Sequence, residues 1–191
     1  MESDRLLVIA TGSSASIVLT SYLTELRSEV DREIAVLLTY SAERFVKPEV
    51  VGWFADEVLT SDSPGLNPVK LALTAGAVVV LPASANTLSS AALGLASTPA
   101  QTALLAAPSP VLYFPHMNPV MWNKPVIQRH VASLREQGDT VVAPVETTTY
   151  HMWKGAKDVG LSLPDPEDAA ALVRLWLLDR SAPADAAMCG Q

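Results

Sequence analysis

Four continuous apolar runs, Leu6 to Ala10, Ile34 to Leu38, Ala77 to Leu81 and Val111 to Phe114, each end abruptly in a turn rich in Ser, Thr, Asn or Pro. A strand that is apolar at every position must be covered on both faces, whereas a half-exposed strand alternates. Between the runs lie helical stretches, the first carrying Ile17, Leu19, Leu23 and Leu26 along one face. Residues 47–67 read as a short helix, a small strand and a loop closed by Ser63-Pro64-Gly65, and Trp53 and Phe54 there line either a ligand pocket or the core. Pro82 is expected to end the third run, and an alanine-rich helix follows it. Pro125 to Gln137 reads as a helix stopped by Gly138, Thr140 to Ala143 as a fifth strand, and Asp165 to Asp179 as a terminal amphipathic helix. Strands separated by helices imply one doubly wound α/β sandwich with a mostly parallel sheet over residues 1–180, and a flexible tail over 181–191.

Composition narrows the setting. With 191 residues, 49% hydrophobic content and a formal charge of -7, the chain is long enough for one full core and too acidic to favour nucleic acid or an anionic membrane. Its apolar stretches fall short of the ~20 residues that span a bilayer. The single cysteine, Cys189, forms no internal disulfide and no cysteine-based metal site, and the start of the chain lacks a signal-peptide pattern. A reducing cytoplasm is the expected location.

In a sheet of this kind ligands bind beyond the carboxyl ends of the strands, so the turns carry the chemistry. Gly12-Ser13-Ser14-Ala15-Ser16 opens a helix with small residues and is either a cradle for one phosphate or an ordinary capped turn. Thr39 and Ser41 add hydroxyls at the second turn, where Ser41 is the expected cap of a short helix. Pro82-Ala83-Ser84-Ala85-Asn86-Thr87 leaves room for a flat ring and offers oriented polar groups; as a plain helix start it would be capped by Asn86 or Thr87. After the fourth strand comes Pro115-His116-Met117-Asn118-Pro119-Val120-Met121-Trp122, a lone amide among two thioethers and an indole.

The last two segments resemble the PASANT and PxMNxxMW motifs of the homo-oligomeric flavin-containing cysteine decarboxylases, in the family's order and spacing and with its early Gly-Ser-Ser turn. The resemblance covers roughly residues 5–145 and implies a Rossmann-like or flavodoxin-like sandwich that binds FMN, with FAD as the alternative. It places phosphate near Gly12, Ser13, Ser14 and Ser16, and the ring near Thr39, Ser41, Phe45, Ser84, Ala85, Asn86 and Thr87. It assigns the substrate cysteine carboxylate to Asn118, the pocket wall to Met117, Met121 and Trp122, and the turn itself to Pro115. It further implies a homotrimer with shared sites, with a dodecamer as a higher assembly.

The implied reaction removes hydride from the cysteine Cβ and a proton from the thiol, giving a thioaldehyde whose C=S makes loss of the carboxylate feasible. Carbon dioxide leaves and an enethiolate remains. Where the family carries a histidine upstream of the PASANT turn, the matching position here is Pro68. Of the three histidines, His116, His130 and His151, the first is the best-placed substitute base. The phosphopantothenoylcysteine decarboxylases resemble one another in a flap cysteine that the stretch 147–157 lacks. That stretch, with Tyr150, Trp153, Lys154 and Lys157, suits either a peptide clamp hinged at Gly155 or a solvated loop with Trp153 in the core.

The expectation is therefore oxidative decarboxylation of a C-terminal cysteine on a ribosomally made precursor peptide, as in lanthipeptide pathways, toward an aminovinyl-cysteine ring. The rivals are a silent regulatory flavoprotein subunit and a phosphopantothenoylcysteine decarboxylase; a flavin prenyltransferase ranks last.

Overall fold

The computed structural model describes residues 5–108 and 110–181. Cys189 and all of the expected tail beyond Ser181 lie outside that range. Six strands form a single parallel sheet: β1 (Arg5–Ala10), β2 (Glu33–Leu38), β3 (Glu57–Thr60), β4 (Ala77–Ala83), β5 (Leu112–Pro115) and β6 (Thr140–Val141), in the order β3-β2-β1-β4-β5-β6. The order reverses between β1 and β4, which opens a crevice at their carboxyl ends.

Each apolar run is buried on both sides. Leu6, Val8 and Ala10 face one core, with Leu23 and Leu26 of α1 (Leu19–Glu29) and Ala170 and Val173 of α8 (Pro166–Ser181). Leu7 and Ile9 face the other, with helices α3 (Pro68–Leu73), α4 (Ala85–Ala92), α5 (Pro99–Ala106) and α7 (Pro125–Glu136). A short α2 (Pro48–Val51) precedes β3, and α6 (Pro119–Trp122) follows β5. No described helix is long and apolar enough to cross a membrane.

Several local expectations are corrected. Pro82 does not end its strand: β4 runs on to Ala83, and a shift of register against β5 between Val80 and Ala83 accommodates the ring. The alanine-rich stretch forms two helices, α4 and α5, parted near Gly94, whose φ is 66°. Ile17 leaves the α1 face and is exposed, because residues 14–18 wind as a 3-10 turn before the α-helix starts. Trp53 is 81% exposed and takes no part in the core, while Phe54 packs against the α1 side.

Residues beyond β6 form an unexpected hairpin, β7 (Val145–His151) and β8 (Ala156–Ser162), paired antiparallel as a separate two-stranded sheet. β8 lies against α6. Gly155, at φ 63°, sits in the hairpin turn. Trp153 is 71% exposed, which removes the reading that tucks it into the core; its ring instead meets His151 edge-on at 4.6 Å.

Candidate active site

The carboxyl ends of β1, β2 and β4 frame a cleft of about 390 Å³. Thr11 joins two of these ends: its buried hydroxyl donates to Pro82 O at 2.8 Å and accepts from Ser84 N at 2.9 Å. Gly12 lies so near the second turn that only a residue without Cβ fits. At that turn Thr39, not Ser41, accepts the Ala42 N–H, through its carbonyl at 2.8 Å and its Oγ1 at 3.2 Å. At the third turn Ser84, not Asn86 or Thr87, caps α4, its Oγ accepting from Thr87 N at 3.3 Å.

Gly12, Thr39, Ser41, Ser84, Ala85, Asn86 and Thr87 all line the cleft, and Met121 closes it from α6. The other expected residues lie around it. Ser14 is exposed, and Ser16 is buried with its hydroxyl donated to Thr11 O at 2.8 Å. Phe45 is 40% exposed beyond the second turn. Pro115 is the last residue of β5, Met117 is buried in the core beside α7, and Trp122 packs against that same core. Asn118 caps α6, its Oδ1 accepting from Val120 N at 2.9 Å, one helical turn ahead of Met121.

Ser13 and His116 bring the first turn onto the β5 segment: Ser13 Oγ and His116 Nδ1 are 2.6 Å apart, and His116 N donates to Ala83 O at 2.9 Å. Burial holds the His116 imidazole below the usual histidine range. His151 lies away on the hairpin, and Pro68 occupies the first turn of α3 behind Asn67, whose Oδ1 accepts from Lys70 N at 2.9 Å.

Sequence reasoning missed Thr11, Tyr40, Ser61, Thr98 and Gln101, which also line the cleft. The signal for Thr98 was present in Thr98-Pro99, a cap followed by proline at the first helical position.

The donor set fits a flavin. Hydroxyls and amides line the cleft with no charged side chain among them, suited to the heteroatom edge of the ring and to the ribityl chain. The first N–H groups of α4, which no carbonyl of that helix can accept, open beside Ala85 and Asn86.

The "Flavoprotein" family model matches residues 1–168. The chain belongs to the Flavoprotein family. Within it, the chain is 30% identical over 184 residues to mersacidin decarboxylase of Bacillus sp. (strain HIL-Y85/54728), covering 95% of this chain and 94% of that protein. This family member also superposes on the H67N variant of EpiD solved with the substrate peptide DSYTC, at a TM-score of 0.81 and 27% identity, covering 90% of this chain and 98% of that one. Against the coenzyme A biosynthesis bifunctional protein CoaBC of Mycobacterium tuberculosis the identity is 33% over 88% of this chain but only 41% of that protein.

Proposed function

We propose that the chain is an FMN-dependent oxidative decarboxylase of a C-terminal cysteine on a ribosomally made peptide, releasing an aminoenethiol. The observation that carries this reading is the meeting of two segments at one cleft, which Asn86 and Thr87 line together with Met121, a turn from Asn118. The near full-length match to mersacidin decarboxylase and to EpiD, which was solved with a peptide ending in cysteine, supports a peptide over a coenzyme A precursor.

When bound, the flavin supplies the two-electron oxidation of the cysteine side chain that makes its carboxylate a leaving group. Ser84, Asn86 and Thr87 orient the ring, and Ser14 with the backbone of the first turn receives the anionic end of the cofactor. Asn118 holds the substrate carboxylate with its amide N–H groups while its Oδ1 caps α6. His116 stands beside it as the second polar side chain of the segment. The hairpin, leaning on α6 with Tyr150, Met152 and Trp153 exposed, closes over the peptide. A homotrimer in the cytoplasm, where the precursor is made, completes the reading.

The test is mass spectrometry of peptides ending in cysteine after aerobic incubation with the purified yellow protein. Turnover removes about 46 Da, carbon dioxide plus two hydrogens. A second reading, a flavoprotein without turnover, draws support from Pro68, the first residue of α3, whose side chain can neither take nor give a proton. Bound flavin with no mass change across precursor and model peptides would select it.

A further inference from the structure

Ser13 and His116 come from turns a hundred residues apart, yet their side chains make one of the shortest polar contacts of the fold, 2.6 Å between Oγ and Nδ1. A proton must lie between them, and either group is able to supply it. If Nδ1 carried it, the Ser13 hydroxyl would have to place its own proton elsewhere. Among the described residues the other acceptor in reach is His116 O, at 3.4 Å, well beyond the 2.5–3.0 Å of an O–H···O bond. Ser13 is 7% exposed, so water offers little relief. If instead Ser13 donates to Nδ1, the short contact is a full hydrogen bond and no proton is stranded.

The backbone reinforces this arrangement. His116 N is tied to Ala83 O at the end of β4, which fixes the histidine Cα beside the first turn. Burial of the ring disfavours the imidazolium and so agrees with a neutral side chain. A neutral imidazole whose Nδ1 accepts carries its proton on Nε2.

We propose that Ser13 is a positioning residue that fixes His116 as the Nε2–H tautomer, so that in the proposed reaction this histidine donates a hydrogen bond to an acceptor of the substrate, its carboxylate or a peptide carbonyl, and is not its base. The Ser13 hydroxyl is thereby used on the β5 segment and is withdrawn from direct service to a phosphate. The tautomer rests on the geometry alone; its part in turnover rests on the decarboxylase reading. Ser14 and the backbone of the turn remain to meet the anionic end of the cofactor.

Long-range proton–nitrogen correlation spectra of the full chain, purified with its flavin and labelled with 15N-histidine, test this directly. His116→Gln assigns the resonances by loss. The wild type is expected to show a protonated Nε2 and an unprotonated Nδ1, the latter shifted by its hydrogen bond. Ser13→Ala should move the Nδ1 resonance, and Ser13→Thr, which keeps the hydroxyl, should restore it. In the mass-loss assay Ser13→Ala should lower kcat/KM about five- to tenfold, the worth of one hydrogen bond, with Ser13→Thr near wild type. A proton on Nδ1 in the wild type, or an Nδ1 resonance indifferent to Ser13→Ala, overturns the assignment. The wild-type spectrum decides this even if Ser13→Ala fails to fold. A moved resonance with unchanged kcat/KM overturns the substrate role. Absence of any mass loss in the wild type rejects the decarboxylase reading while the spectrum still decides the tautomer.

Discussion

Gly12 and Ser41 meet so closely that a Cβ built on the glycine would lie 2.3 Å from the serine Cβ. The contact presses the first turn against the second at the mouth of the cleft that both residues line. Because a Cβ is fixed to the backbone, no rotamer change relieves the clash, and Gly12→Ala must push the two turns apart. The expected result is a loss of about 1–3 kcal/mol of stability, typical of overpacking, together with weaker flavin retention. Chemical denaturation and fluorescence of released flavin measure the two effects separately.

The legible part of the fold was the part written in continuous apolar runs. A fully buried strand admits few alternatives, so β1, β2, β4 and β5 lay within a residue or two of their expected places. Pro82 misled because a proline reads locally as a strand end, whereas here a change of register against β5 absorbs it. Thr11 was invisible as a site residue for a different reason: its partners, Pro82 and Ser84, lie more than seventy positions along the chain, and only the β1–β4 pairing joins them. The hairpin was missed because Glu146 to Tyr150 shows no apolar alternation; Thr147, Thr148 and Tyr150 are all exposed, and cross-strand pairing rather than burial defines β7. The motif segments were legible as turns, but the roles of Ser84 and Thr39 as the acceptors at those turns follow from backbone geometry that composition does not carry.

His116 gives a pH signature. Its folded pKa lies below the ordinary value near 6.5 because burial penalises the cation. Between those two values the unfolded chain binds a proton that the folded chain refuses. Stability is therefore full above the unfolded pKa, falls as pH drops through the window and levels off below the folded pKa. Denaturation of the wild type and His116→Gln between about pH 8 and pH 5 should show the wild type losing ground to the variant only below about pH 7. Parallel curves across the range would mean that His116 titrates as it does in water.

Asn118 carries a cap and, in the proposed reaction, a substrate contact, and two substitutions separate them. An aspartate in its place would still offer Val120 N an acceptor and is as good a cap as asparagine, so Asn118→Asp should leave the thermal midpoint near that of the wild type. It would also set a negative charge against the substrate carboxylate, and kcat/KM should fall about a hundredfold or more. Asn118→Ala should lose activity and, in addition, about 1 kcal/mol of stability with the cap. Equal turnover by wild type and Asn118→Asp would remove Asn118 from the site.

Trp153 tests the hairpin. Being 71% exposed, it contributes little burial to the fold, and its ring contact is with His151 on the same hairpin. Trp153→Ala should therefore change stability by no more than about 0.5 kcal/mol. If the hairpin closes over an extended peptide, the same change removes a large aromatic surface from that contact. KM for a peptide ending in cysteine should then rise about fivefold or more, with kcat nearly unchanged, as expected for binding that does not grow in the transition state. The length of the peptide sharpens the result. If the hairpin grips the residues ahead of the cysteine, a substrate cut to its last two residues should be processed alike by the wild type and Trp153→Ala. An equal KM for the long peptide in both proteins would assign the exposed tip to another purpose and leave recognition to the α6 segment alone.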